Sequence, residues 1–76
     1  MKIEYDNKYD LLYIRFDETN QQLFNHRVND SIVLNLGEND RLVGIEILGA
    51  KTVLNLRNLL PVEFLNTSCE GVLVTA

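Results

Sequence analysis

Four runs in which apolar side chains recur at every second position, within residues 2–6, 11–16, 31–36 and 41–48, constrain this chain more than any other feature. A period of two belongs to the pleated strand, whose successive side chains leave opposite faces, and not to a helix. In KIEYD, Ile3 and Tyr5 share one face while Lys2, Glu4 and Asp6 share the other. In LLYIRF the split is Leu12, Ile14 and Phe16 against Leu11, Tyr13 and Arg15. In SIVLNL the residues that stand together are Ile32, Leu34 and Leu36, and in RLVGIEIL they are Val43, Ile45 and Ile47. Gly44 and Glu46 therefore belong to the second face and do not interrupt the core. There Gly44 leaves room for a close neighbour or a bulge, and Glu46 is expected to pair with an arginine such as Arg15.

Turn chemistry separates the runs. NKYD closes the first hairpin, with Asn7 tolerant of the left-handed backbone, and GEND closes a later one, with Gly37 expected at positive φ and Asn39 and Asp40 bonding locally. Residues 17–30 are rich in Asp, Asn and Gln, and Leu23 with Phe24 is their strongest burial signal. They read as a connection with a short irregular strand between Gln22 and Val28.

From Ala50 the period changes. In AKTVLNLRNLL, Val53, Leu56 and Leu60 recur at spacings of three and four, with Leu59 beside Leu60, which predicts a helix of about three turns. Pro61 limits it and could open a second helical turn in PVEFL. EGVLVTA suits a short strand or a frayed tail. The fold class expected is α+β: an antiparallel β-meander of about four strands with a C-terminal helix packed on one face. It forms a single domain over residues 1–76, with the meander at 1–49, the helical segment at 50–65 and the tail or short strand at 66–76.

A chain of 76 residues builds only a small core, and domains of this size usually recruit disulfides, a metal or a partner chain. With one cysteine, Cys69, and one histidine, His26, an intrachain disulfide is impossible and a Cys/His zinc site lacks ligands. A partner chain is the aid that remains. The apolar residues of the second face, Leu11, Tyr13, Val33, Leu42 and Leu48, are more than a small protein leaves wet, and point to packing on a second copy or another protein. The net charge of −4 repels phosphate backbones and favours encounter with a basic protein. MKIEYDNKYD has no apolar centre of the signal-peptide kind, and no run approaches the roughly 20 apolar residues of a membrane span, so a cytoplasmic location with no membrane contact is expected.

Three short motifs in order resemble a known family: Tyr5-Asp6 closing the first strand, then Asp10, Leu12, Tyr13, Ile14 and Arg15, then Gly44, Ile45, Glu46, Ile47 and Leu48 after an acidic turn. The resemblance is to the small bacterial and archaeal family known as domain of unknown function 2283. This chain departs from the family pattern at Asn35 and Gly49, where an Asp is common, and the segment from Thr52 onward lies in the family's variable part. The resemblance implies a β-meander followed by a helix and no established activity. Members are often encoded beside small toxin-like genes, which suggests an antitoxin-like role for some of them.

The residues that could carry chemistry do not assemble into a catalytic set. His26 sits between Asn25 and Arg27 in a polar connection and is expected to be exposed. Cys69 has Glu70 beside it and no basic neighbour to favour the thiolate. Glu38 with Asp40, Asp17 with Glu18 and Asp6 with Asp10 are acidic pairs in turns, where backbone bonding explains them. The four glycines are too scattered for a phosphate loop. No enzyme activity, metal or cofactor is expected. The function expected is a noncatalytic protein-interaction module, antitoxin-like in one form, that forms a homo-oligomer or binds a small protein. Its candidate interaction face comprises Tyr13, Arg15 and Glu46 on the sheet and Leu56, Leu59, Leu60 and Phe64 after it. One alternative is a nucleic-acid module that stacks bases on Tyr13 beside Arg15. A small enzyme has the least support.

Overall fold

The alternating runs fold as strands, and the polar connection adds one more: β1 (Lys2–Asp6), β2 (Leu11–Arg15), β3 (Phe24–Arg27), β4 (Ile32–Leu36) and β5 (Leu42–Leu48). These come from a computed structural model that describes residues 1–69, 72 and 73. The five strands form one antiparallel sheet in the order β1-β2-β5-β4-β3. The expectation of a four-strand meander is corrected in both number and order, because β2 pairs with β5 and β3 is carried to the far edge. Burial explains the arrangement. β5 holds the buried residues Val43, Gly44 and Ile47 and takes the centre, whereas every residue of β3 is exposed.

Cross-strand rows preserve the two faces. Ile3, Ile14, Ile45, Leu34 and His26 form one row of the first face, and Tyr5, Leu12, Ile47 and Ile32 form the next. The second face carries the row Glu4, Tyr13, Glu46, Val33 and Arg27. A register shift beside Asn35 and Leu36 gives β5 one more residue than β4 there, so Val43 has no opposite residue.

The core is small. Among the described residues the buried apolar side chains are Leu12, Val33, Val43, Ile47 and Ala50. Leu12, Ile47 and Ala50 form its cluster on the first face, with Ile3, Ile14, Ile45, Leu54, Leu56 and Leu59 packed around them.

The expected C-terminal helix is absent, and the fold is mainly β. Only α1 (Ala50–Val53) forms a turn of α-helix. Leu54 is extended at φ −125° and ψ 154°, and a separate 3-10 turn follows at Leu56–Asn58. The reason is local competition. Asn55 accepts a hydrogen bond from Arg57 N on its own side chain and so starts a new turn where a helix would have to continue. β-branched Thr52 and Val53 add little propensity, and helices this short are marginal without strong packing. The packed residues are Leu54, Leu56 and Leu59, while Val53 and Leu60 of the predicted stripe are 39% and 71% exposed. Farther on, β6 (Leu65–Asn66) pairs with β7 (Val72–Leu73). The rest of the predicted tail, residues 70, 71 and 74–76, and the Cys69 side chain lie outside the described residues.

Left-handed backbone falls at Asp10, Asn39, Asp40 and Gly49, and not at Asn7 or Gly37 as the turn residues suggested. Asp10 uses its position to tie the two halves together. Its carbonyl accepts from Ala50 N at 3.0 Å, its carboxylate accepts from Lys51 N at 3.1 Å, and the Tyr5 hydroxyl donates to it at 2.8 Å. The first hairpin thereby holds the start of the C-terminal segment.

That contact is sensitive to alkali. The hydrogen bond to Asp10, followed by partial desolvation and the charges of Asp10 and Asp6, raises the Tyr5 pKa above the ordinary tyrosine value. A raised folded-state value means that the contribution is intact below the unfolded pKa of about 10 and is lost as pH climbs through the folded one. Chemical denaturation across that range is expected to show stability falling in the native chain, and less steeply in Tyr5→Phe. Identical alkaline slopes would show that the hydroxyl contributes nothing.

Candidate interaction surface

The predicted polar residues share the second face but are not linked as expected. Tyr13 pairs with Glu4 on one side and Glu46 on the other, whereas Arg15 stands opposite Lys2 and Gly44. Arg15 Nε donates to the Asp17 carbonyl at 2.8 Å and Nη2 to the Thr19 carbonyl at 3.4 Å, so its guanidinium braces the loop after β2. Glu46 instead accepts from Asn35 Nδ2 at 3.2 Å. The Arg15–Glu46 pair inferred from alternation does not form, because the register places Arg15 one row away and its fork is used by loop carbonyls. Among the described residues the ion pair on this face is Lys2–Glu4 at 3.5 Å, exposed at both ends and worth little.

Asn35 is the polar residue that periodicity did not single out. It is 5% exposed and donates through Nδ2 to Asn25 Oδ1 at 2.9 Å as well as to Glu46, while its own Oδ1 has no partner. An asparagine in mid-strand among Ile, Val and Leu is itself a signal, since Asn is depleted in strands and needs a reason there. Here the reason is lateral: Asn35 joins β3 and β5 across β4.

Beside this polar row lies a cleft of about 260 Å³ between Arg27 and Leu48, floored by Val33. A second cleft, of about 330 Å³, is bounded by Glu4, Asp6 and Glu46 around Leu11 and Tyr13. The second face is thus a charged surface with shallow apolar floors and not the broad apolar sheet face the strand pattern suggested.

Of these acidic residues, Asp6, Asp10 and Asp17 serve the backbone. Asp6 accepts from the N–H groups of Lys8 and Tyr9, and Asp10 from Lys51. Asp17 accepts from Thr19 N at 2.9 Å, and that bond leads the influences that hold its carboxyl below the usual range. Among the described residues no group of three or more His, Cys, Asp or Glu is placed to hold a metal ion, and no helix is long and apolar enough to cross a membrane. His26 stands exposed on β3 opposite Leu34.

The predicted leucines and phenylalanine divide. Leu56 and Leu59 turn inward onto the core cluster and line a cleft of about 410 Å³ with Ile3 and Leu12. Leu60, which lines the same cleft, and Phe64 are 71% and 64% exposed, and are joined by Val62 at 51% and Leu65 at 52%. Val62 and Leu65 are not among the residues named for the candidate face, although they belong to the same Leu-rich run, residues 53–65, which the sequence offers as a docking segment; this stretch is not helical, so its apolar side chains do not follow a spacing of three and four.

No curated protein matches the chain, and no solved structure does. One family model matches it, over residues 2–51, which takes in the whole five-stranded sheet and the start of α1. The chain belongs to that family, described as Protein of unknown function (DUF2283).

Proposed function

We propose that this protein is a noncatalytic interaction module that works by docking another protein on the apolar stretch after its sheet. The observation that supports this reading is the outward display of Leu60, Val62, Phe64 and Leu65 within six residues, each more than half exposed. Apolar side chains concentrated in this way on a small domain mark contact surfaces. The partner that fits is a small protein with an apolar patch and a basic rim, since the net charge of −4 speeds encounter with positive surfaces. An antitoxin-like protein, which holds a basic partner inactive, is one form of such a module. The nucleic-acid reading has less to support it, because Arg15 is occupied by the loop carbonyls it braces.

Co-purification provides the test. The tagged chain expressed in its own cells is expected to retain a stoichiometric partner, and the double substitution Leu60→Ser with Phe64→Ser to lose it while the far-ultraviolet circular dichroism is unchanged. A partner retained by the double variant, or no partner with the native chain, sinks this reading.

A further inference from the structure

We infer that β3 is a pairing edge for a second copy of this chain, joining two sheets into one continuous ten-stranded sheet. This inference concerns a different surface from the apolar stretch and stands or falls apart from it. The argument starts from hydrogen-bond direction. In an antiparallel ladder, alternate residues turn their N–H and C=O toward one neighbour and then the other. Val28 N donates to Ile32 O at 2.8 Å, in step with the pairings Phe24↔Leu36 and His26↔Leu34. Phe24 and His26, with the N–H of Val28, therefore turn their backbone groups to β4, and the N–H and C=O of Asn25 and Arg27 face outward from the last strand of the sheet.

Nothing on this strand blunts the edge. Exposed edges are ordinarily guarded by charges, proline or a bulge. The opposite edge follows that rule, since β1 carries Lys2, Glu4 and Asp6 in five residues. β3 has no proline, no bulge in its pairing and a single full charge, Arg27. The Arg27 guanidinium is folded back onto its own loop, donating to the carbonyls of Asn29 and Asp30 at 3.2 Å each. One face of the edge also carries two exposed apolar side chains, Phe24 at 59% and Val28 at 53%, on either side of His26.

The occupant is a second copy because the edge is complementary to itself. A two-fold axis normal to the sheet and midway between the two copies of His26 pairs Asn25 with Arg27 of the second copy and Arg27 with its Asn25, which satisfies all four outward groups on each strand. The same register sets Phe24 against Val28 of the second copy, twice, on the shared apolar face. Shifting by one pair toward Arg27 would oppose two guanidinium groups, and shifting the other way would separate the Phe and Val residues.

The register makes the test specific. Directly opposed residues of a non-hydrogen-bonded pair have Cα atoms about 4.5 Å apart, within reach of a disulfide. In a Cys69→Ser background, His26→Cys is expected to form an intermolecular disulfide in most of the protein under mild oxidation, and Lys2→Cys on the other edge to form almost none. Light scattering on the native chain should give the mass of a dimer. Arg27→Pro removes an outward N–H and no bond to β4, so it should give a monomer with unchanged circular dichroism. A native monomer, a dimer that survives Arg27→Pro, or a dimer in which His26→Cys does not cross-link would overturn the pairing. Loss of the co-purifying partner in the Leu60 and Phe64 variant bears only on the apolar stretch, so the two ideas fail separately.

Discussion

Leu12→Ala is expected to cost roughly 2–5 kcal/mol and to bring the domain to the edge of unfolding in water. Leu12 is 1% exposed, and with Val43 it is one of the two largest fully buried side chains among the described residues. It joins the sheet to the C-terminal segment, through Ile47 beside it on β5 and Ala50 at the start of α1. Truncation leaves a cavity that the segment can close only by abandoning the Asp10 contacts that fix its origin. At typical values for folded domains, a chain of this length holds about 4–11 kcal/mol in total. Urea denaturation is the measurement, with Leu48→Ala as the reference. Leu48 lies on the second face at 39% exposure and should lose less than about 1 kcal/mol. Equal midpoints for the two variants would mean that the cluster around Leu12 is not what holds the layers together.

The contrast between Leu12 and Leu48 was legible in the sequence, because a period of two by itself assigns each strand residue to one face or the other. The same alternation located β1, β2, β4 and β5 to within a residue or so, and the Leu23-Phe24 signal lay at the start of β3. Strand order was not legible. Alternation says nothing about neighbours, and the preference for adjacent hairpins failed where a long connection let β5 enter beside β2. The helix was misread for a different reason. Val53, Leu56 and Leu60 fit a stripe, but a four-residue turn, an extended Leu54 and the Asn55 cap bring Leu54, Leu56 and Leu59 to the sheet instead. Side-chain partners were the least accessible. Glu46 had an arginine on its own face, yet the register gave it Asn35, a pairing that depends on β4 lying beside β5.

Gly44 is where register and packing meet, and Gly44→Ala is expected to destabilise by roughly 1–3 kcal/mol although alanine suits a strand better than glycine. A Cβ at this position would lie 2.8 Å from Tyr13 Oη, 2.9 Å from the Ile14 carbonyl oxygen and 3.0 Å from Asn35 Oδ1. The tyrosine can swing aside. The Ile14 carbonyl cannot, because it belongs to the backbone of β2, with which β5 is paired. Relief therefore requires β2 and β5 to separate at the centre of the sheet, next to the pairs that position Ile45 and Ile47. Tyr13→Phe removes one of the three obstructing atoms, so a double-mutant cycle with Gly44→Ala should recover part of the loss and leave the backbone share. Full recovery would place the whole clash at the hydroxyl, and a Gly44→Ala protein as stable as the native one would mean that β5 does not approach β2 this closely. The glycine thus acts through space it leaves empty: it lets the Tyr13 hydroxyl lie over β5 beside the buried amide of Asn35, so that a polar row can cross the sheet at its centre.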